Sequence, residues 1–173
     1  MKKEDSMSMQ EQLQLVKGLA EEGNAKAQHN LGAMYLKGQG VEQDWDQAIL
    51  WFKKAAEQGD MLAQHNLGAL FLQGAGELSP DPSEAVHWFT QAAMQGDPRS
   101  QHSLGALYFE GLGVDQDLNK SYIWLSLALQ GAPEERQQAM RQVRDYVASQ
   151  LSPEQIDRAQ ATTLEILKNM TVH

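Results

Sequence analysis

The chain repeats itself at a fixed interval. Residues 27–41 (AQHNLGAMYLKGQGV), 63–77 (AQHNLGALFLQGAGE) and 100–114 (SQHSLGALYFEGLGV) align without gaps, the first two agreeing at 10 of 15 positions. A second set follows each of them: residues 46–59 (DQAILWFKKAAEQG), 83–96 (SEAVHWFTQAAMQG) and 119–132 (NKSYIWLSLALQGA). Gly32, Gly68 and Gly105 are spaced by 36 and then 37 residues, and Trp51, Trp88 and Trp124 by 37 and then 36, because one extra residue lies in the second loop. A period of this size marks stacked supersecondary units, each of which buries its apolar face only against its neighbours.

Each segment has helical periodicity. Ala27, Leu31, Met34 and Tyr35 fall at i, i+4, i+7 and i+8, and Ala48, Trp51, Phe52, Ala55 and Ala56 form a second apolar stripe. Every repeat is therefore predicted to be a helix pair, A then B. The punctuation agrees. Paired glycines (Gly38/Gly40, Gly74/Gly76, Gly111/Gly113) end helix A. Helix B opens on Asp44 with Gln47 three residues on, on Asp81 with Pro82 and Glu84, and on Asp117. Gly59 and Gly96 close the B helices, and small residues such as Gly32, Ala33, Ala48 and Ala55 let A and B approach closely. Trp51, Trp88 and Trp124 are placed in the core, whereas Trp45 lies outside that register and is expected in a loop as an exposed aromatic.

Composition narrows the class further. A chain of 173 residues with 42% hydrophobic, 21% charged and only 7% aromatic residues is an ordinary globular composition that favours close-packed helices. Having no cysteine, it offers neither disulfides nor a thiolate metal site. The net charge of −9 is concentrated in the middle: Asp+Glu against Lys+Arg is 9 to 7 over residues 1–59, 8 to 2 over 60–132 and 6 to 5 over 133–173. Without a basic stripe to release counterions, nucleic acid is not an expected partner. The N-terminus lacks an apolar signal core of ~7–15 residues, and no apolar run approaches the ~20 residues that span a bilayer. The expectation is a cytoplasmic protein without membrane insertion, periplasmic only if a leader has been removed.

The motif A-Q-x-N-L-G-x-x-Y-x-x-G-x-G-V-x-x-D…A-x-x-W-x-x-K-A-A-x-x-G resembles the Sel-1-like repeat, a relative of the tetratricopeptide repeat, over roughly residues 20–132. The resemblance implies an all-α fold, a right-handed superhelix of three such repeats (about 23–59, 60–96 and 97–132), and an adaptor or scaffold role. Two departures stand out: residues 77–80 (ELSP) replace the expected Val-x-x in repeat two, and Ser121, Leu127 and Leu129 stand where the family prefers Ala, Lys and Ala. Extra leucines suggest that the last B helix is buried on a second side. Residues 133–150, with Met140, Val143, Tyr146 and Val147 on one face, and a further helix from Ser152-Pro153-Glu154-Gln155, buried through Ile156, Ala159, Thr163, Ile166/Leu167 and Met170, supply that cover. The domain expectation is a disordered segment 1–7, an N-terminal helix over 8–22 with Leu13, Val16, Leu19 and Ala20 inward, the repeats to 132, and a helical cap over 133–173, all in one continuous unit.

No metalloprotease, P-loop, nucleophile-elbow or S-x-x-K signature is present, so neither catalytic residues nor a cofactor is expected. His29, His65 and His102 share one repeat position. Equivalent helices lie ~8–10 Å apart, so the three imidazoles form a line and cannot converge on a metal ion, whose nitrogen ligands sit at ~2.0–2.1 Å. A half-exposed packing role and a ligand-facing row both remain open for them.

Matching Leu31-Gly32 and Tyr35 to the tetratricopeptide Leu-Gly and Tyr implies the groove-lining side of helix A. It places Lys26, His29, Asn30, Ala33, Leu36 and Lys37 there in repeat one, then Leu62, His65, Asn66, Ala69, Leu72 and Gln73 in repeat two. Arg99, His102, Ser103, Ala106, Phe109 and Glu110 follow in repeat three. The expected partner is another protein, bound as a peptide or helix in the concave groove by a monomer or weak homo-oligomer. A hydrolase acting on peptide or cell-wall fragments, and a self-assembling structural repeat, are the rival readings.

Overall fold

The computed structural model describes residues 8–170 and, among them, nine helices. They are α1 (Met9–Glu21), α2 (Ala25–Lys37), α3 (Trp45–Glu57), α4 (Met61–Gln73), α5 (Pro82–Met94), α6 (Pro98–Glu110), α7 (Leu118–Gly131), α8 (Glu134–Ala148) and α9 (Pro153–Met170). The expected disordered segment 1–7 lies outside the described residues, as do 171–173. Helices α2, α4 and α6 are the A helices and α3, α5 and α7 the B helices. The fold is an all-α solenoid.

Every A and B helix begins on a side-chain cap. Asn24, Asp44, Asp60, Asp81, Asp97 and Asp117 each accept a hydrogen bond from a backbone amide of the first turn, satisfying donors that the helix itself cannot pair. The caps of the B helices do a second job: the amides of Asp44, Asp81 and Asp117 donate to the carbonyls of Tyr35, Phe71 and Tyr108, tying the start of B to the end of A. Gly38 and Gly111 end their helices at φ +65° and +70°, the left-handed conformation that favours glycine. The extra residue of repeat two changes that loop, where Ala75 and Leu78 pair through their backbones, while Gln43 and Gln116 clasp the carbonyls of Leu36 and Phe109 in the other two.

Within a repeat, A and B meet over a glycine. A Cβ on Gly32, Gly68 or Gly105 would stand 2.8, 2.6 and 2.6 Å from Phe52, Phe89 and Leu125 respectively, well inside van der Waals contact. Those three large side chains are essentially inaccessible to water. Between repeats the join is polar and sits in the core: the buried amides of Gln28, Gln64 and Gln101 donate to the carbonyls of Ala20, Ala56 and Ala93 at the ends of α1, α3 and α5. Gln58 and Gln95 then donate to the side-chain oxygens of Gln28 and Gln64, both at 2.7 Å.

Helix α1 is built as a B helix without an A helix before it among the described residues. Its Ala20 carbonyl takes the same glutamine bond as Ala56 and Ala93, and its Met9 touches Gly40 as Trp45 touches Gly76 and Pro82 touches Gly113. At the other end α8 and α9 both pack on α7, where Leu125 meets Val147 and Ala159, Leu129 meets Met140, and Leu127 is also buried. The capping expectation is met, with three revisions. Leu19 of α1, expected inward with Leu13, Val16 and Ala20, is 38% exposed, because the contact of α1 with α2 runs along Leu13 and Ala20. Val143 and Tyr146 do not share the buried face of α8: they are 41% and 61% exposed, and Met140 and Val147 are the buried residues of that helix. Trp45 is the first residue of α3, not a loop residue, and is 36% exposed where it lies over the loop of the next repeat. Of the three register tryptophans, Trp88 is buried and Trp51 and Trp124 are half-buried.

Candidate functional site

Successive A helices touch side chain to side chain: His29 reaches Asn66, and His65 reaches Ser100. Helices α4 and α6 also approach each other directly. These contacts join the A helices into one layer of the stack. The residues assigned to a groove divide there into two groups.

The first group is open to solvent or half-open. Asn30, Lys37 and Gln73 are exposed, as are Lys26, Leu62, Arg99 and Glu110; Asn66, Ser103, Ala33, Ala69 and Ala106 are half-buried. Leu36 and Leu72 are half-buried against the main core. Phe109 instead joins the C-terminal cluster, its ring 5.7 Å from that of Tyr146 in an edge-on contact. The aromatic pair at the end of the A layer thus includes a residue, Tyr146, that helical periodicity placed in the core.

The histidines form the second group, and each has a different environment. His29 rests on the ring of Phe52 at 5.6 Å, with Nε2 3.2 Å from Asn66 Nδ2, so that Nε2 is the acceptor. His65 repeats the aromatic contact with Phe89 at 5.6 Å, and its Nδ1 lies 2.8 Å from Ser100 Oγ and 3.1 Å from Asp97 Oδ2. His102 is half-buried, and loss of solvent there pushes its pKa below the usual value.

Asp97 is the centre of the one dense polar cluster at this junction. Its carboxylate caps α6 through the Ser100 amide at 3.0 Å, accepts the Ser100 hydroxyl at 2.6 Å and accepts Arg99 Nε at 3.0 Å. Burial works against its charge, but the hydrogen bonds from His65, Ser100 and Arg99 outweigh it and hold the carboxyl far below the usual carboxylate range. Sequence reading missed this cluster because Asp97 presented itself only as a cap, and Ser100 stands where Ala27 and Ala63 occupy the other repeats.

Serine, histidine and aspartate meeting in one place invite comparison with a nucleophilic triad, and the geometry answers it. A triad needs the hydroxyl on one ring nitrogen and the carboxylate on the other. Here both lie on Nδ1, the Ser100 hydroxyl proton goes to Asp97, and Ser100 is fully buried. The arrangement is a clamp between repeats two and three. Among the described residues no group of three or more His, Cys, Asp or Glu side chains is placed to hold a metal ion, and no helix is long and apolar enough to cross a membrane.

Comparison with known proteins fits this architecture. The Sel1 repeat family model matches residues 25–60, 62–97 and 98–131. The crystal structure of a Sel1 repeat protein from Oxalobacter formigenes is similar, with TM-score 0.68 and 34% identity over 76% of this chain and 98% of that one. So is c5321, a protective antigen of uropathogenic Escherichia coli strains displaying an SLR fold, with TM-score 0.64 and 28% identity over 90% of this chain. This chain spans 40% of the length of c5321. No curated protein matches the sequence. With three matched repeats covering most of its length and the helix pairs to go with them, the chain belongs to the Sel1 repeat family.

Proposed function

We propose that this protein is a non-catalytic adaptor that binds a peptide or helical segment of another protein along the inner face of α2, α4 and α6. The observation that carries this reading is a pair of tracks repeated at one register. Small side chains at Ala33, Ala69 and Ala106 share a register with amide and hydroxyl groups at Asn30, Asn66 and Ser103, on a face that is half-open to solvent among the described residues. Alanines leave room for an approaching backbone, and amides offer it both donors and acceptors. Such surfaces, extended over several repeats, are how solenoids engage partners. The row formed by His29, His65 and His102 contributes at its edge, since part of its bonding capacity is spent between repeats. A monomer or weak homo-oligomer working in the cytoplasm, or in the periplasm after removal of a leader, completes the reading.

The experiment is a capture from lysate of the producing organism with three baits: wild type, an inner-face variant (Asn30→Asp, Leu62→Glu, Gln73→Glu) and an outer-face variant (Lys53→Glu, Gln91→Glu). All five positions are exposed, so the fold is retained. The expected result is a partner held by the wild type and the outer-face variant and lost from the inner-face variant. Equal recovery on all three baits removes the inner face as the binding site.

A further inference from the structure

Helices α8 and α9 share α7 as a platform but diverge along it. They converge with α7 where Val147, Ala159 and Tyr122 meet in one cluster. From there α8 runs back to Met140, which packs on Leu129 and Ala132, while α9 runs out to Met170, which reaches Gly96 at the end of α5. The divergence leaves a cleft of about 300 Å³, floored by Tyr122, Ser126 and Gln130 and walled by Arg144 on one side and Gln160, Thr163, Leu164 and Leu167 on the other. That volume is at the lower end of small-ligand sites, room for about one side chain and its polar end.

Three features of the lining point to the chemistry of an occupant. Ser126 Oγ is buried and makes no hydrogen bond among the described residues. A helical serine ordinarily bonds back to the carbonyl four residues earlier, so its hydroxyl is left as an unused donor and acceptor on the cleft floor. Arg144 is the only charged residue of the lining, in a protein whose net charge is −9. Asp145, which is not part of the lining, holds it through Nε at 2.9 Å and through Nη2, fixing the guanidinium at the cleft. Third, Leu164 is 59% exposed and lies in the wall beside the half-buried Leu167.

We propose that this cleft binds a branched aliphatic carboxylate, with its charge at Arg144, a polar oxygen at Ser126 and its side chain against Leu164 and Leu167. A polypeptide C-terminus ending in Leu, Ile or Val and a free short-chain acid share that chemistry. Gln160, whose Nε2 donates to the Tyr122 hydroxyl at 3.2 Å across the cleft, closes the end nearest the α7 start. The site is separate from the inner face of the A helices and does not depend on that reading.

The test is a methyl and amide NMR titration of the full chain with N-acetyl-L-leucine, N-acetyl-L-leucinamide and 4-methylpentanoate. For a ligand of this size a dissociation constant on the order of 1 mM is expected, with shifts at Ser126, Leu164 and Leu167. The acid should bind at least ~10-fold more tightly than the amide, a charge-assisted bond being the stronger one. Arg144→Gln should abolish that preference, while Arg144→Lys, which keeps the charge, should retain most of it. Ser126→Ala should weaken binding several-fold without lowering the melting temperature, because the hydroxyl it removes has no partner in the free protein. Weaker binding of 4-methylpentanoate than of acetyl-leucine assigns the site to chain termini, and equal binding assigns it to free acids. Equal affinity for acid and amide, an unaffected Arg144→Gln variant, or no shift at 20-fold above the expected constant overturns the proposal.

Discussion

Gly68 lies so close to Phe89 that a Cβ on the glycine would stand 2.6 Å from the ring carbon Cδ1. The missing methyl is what sets the distance between α4 and α5. Gly68→Ala should gain some helix propensity, up to ~1 kcal/mol, and lose more than that to overpacking, ~1–3 kcal/mol. The net expectation is a melting temperature lower by several degrees. Gly18→Ala in α1, where a Cβ meets nothing within 4 Å, should do the reverse and raise it. Two melts distinguish these outcomes, and a stabilised Gly68→Ala would mean that Phe89 moves aside at no cost.

The repeat junction gives a second pair of substitutions. Gln64 is 4% exposed, donates to the Ala56 carbonyl at 3.1 Å and accepts from Gln95 at 2.7 Å. Replacing it by leucine takes one of two donors from the Ala56 carbonyl, which keeps the Gly59 amide at 2.9 Å, and should cost about 0.5–1.5 kcal/mol. Gln95→Ala should cost less, since that residue is exposed. The double variant should cost less than the sum, by on the order of 1 kcal/mol, because both changes remove the same bond. Additive losses in chemical denaturation would show the glutamines to act independently.

These junctions mark the line between what the sequence disclosed and what it did not. Periodicity, caps and paired glycines report on one helix at a time, and they placed the ends of the A helices and the starts of the B helices within a residue or two. Gln28, Gln64 and Gln101 read as polar residues on a helix, and nothing local says that the carbonyl they reach belongs to the preceding repeat. Tyr146 failed in the opposite direction. It fits the apolar period of α8, but α9 packs on α7 and not along α8, so Met140 and Val147 are buried while Tyr146 is left 61% exposed beside Phe109. The alignment of repeats found the register of the A helices but not the clamp at Asp97, which exists in one repeat only.

That clamp makes stability depend on acid. The Asp97 carboxyl is depressed in the folded chain, so its contribution is complete above the unfolded value of ~3.9 and is lost progressively as pH falls below it. His102 is also depressed, by burial, so the unfolded chain takes up its proton first and stability declines as pH falls through ~6.5. Two acid-side slopes are therefore expected in the melting temperature, one beginning near pH 6.5 and one below about pH 4. His102→Phe should flatten the first and Asp97→Asn the second, the latter also lowering the melt at neutral pH. A wild-type melting temperature that is constant from pH 7.5 to 5 would contradict the assignment to His102.

Removing the C-terminal cap tests how far the stack depends on its end. Leu125, Leu127 and Leu129 are 0%, 1% and 8% exposed; Leu125, seated on Gly105 of α6, also meets Val147 and Ala159 of the cap, and Leu129 meets Met140. A chain ending at Ala132 uncovers this face, and its stability should fall by several kcal/mol at ~1.5–3 kcal/mol per large apolar side chain. Association or precipitation should follow at micromolar concentration. A truncated chain that stays monomeric in light scattering and melts with the full-length protein would show that the three repeats need no cap.

The histidine row is the place where binding and folding can be told apart. His65→Ala removes the donor to Asp97 and the contact with Phe89, leaving a buried carboxylate one hydrogen bond short; it should lower the melting temperature by several degrees. His29→Ala loses the contact with Phe52 and the bond to Asn66, both at a half-buried position, and should lower it less. If the inner face binds a partner as proposed, His29→Ala should also weaken capture, because Asn66 is then free to turn away from the track it shares with Asn30 and Ser103. Restoring an acceptor with His29→Gln should recover both properties in part. The measurements are partner affinity and melting temperature on the same four proteins. Affinity that follows the melt, falling most in His65→Ala, would make the row purely structural; affinity that falls most in His29→Ala, against the order of the melts, places the row at the edge of the binding face.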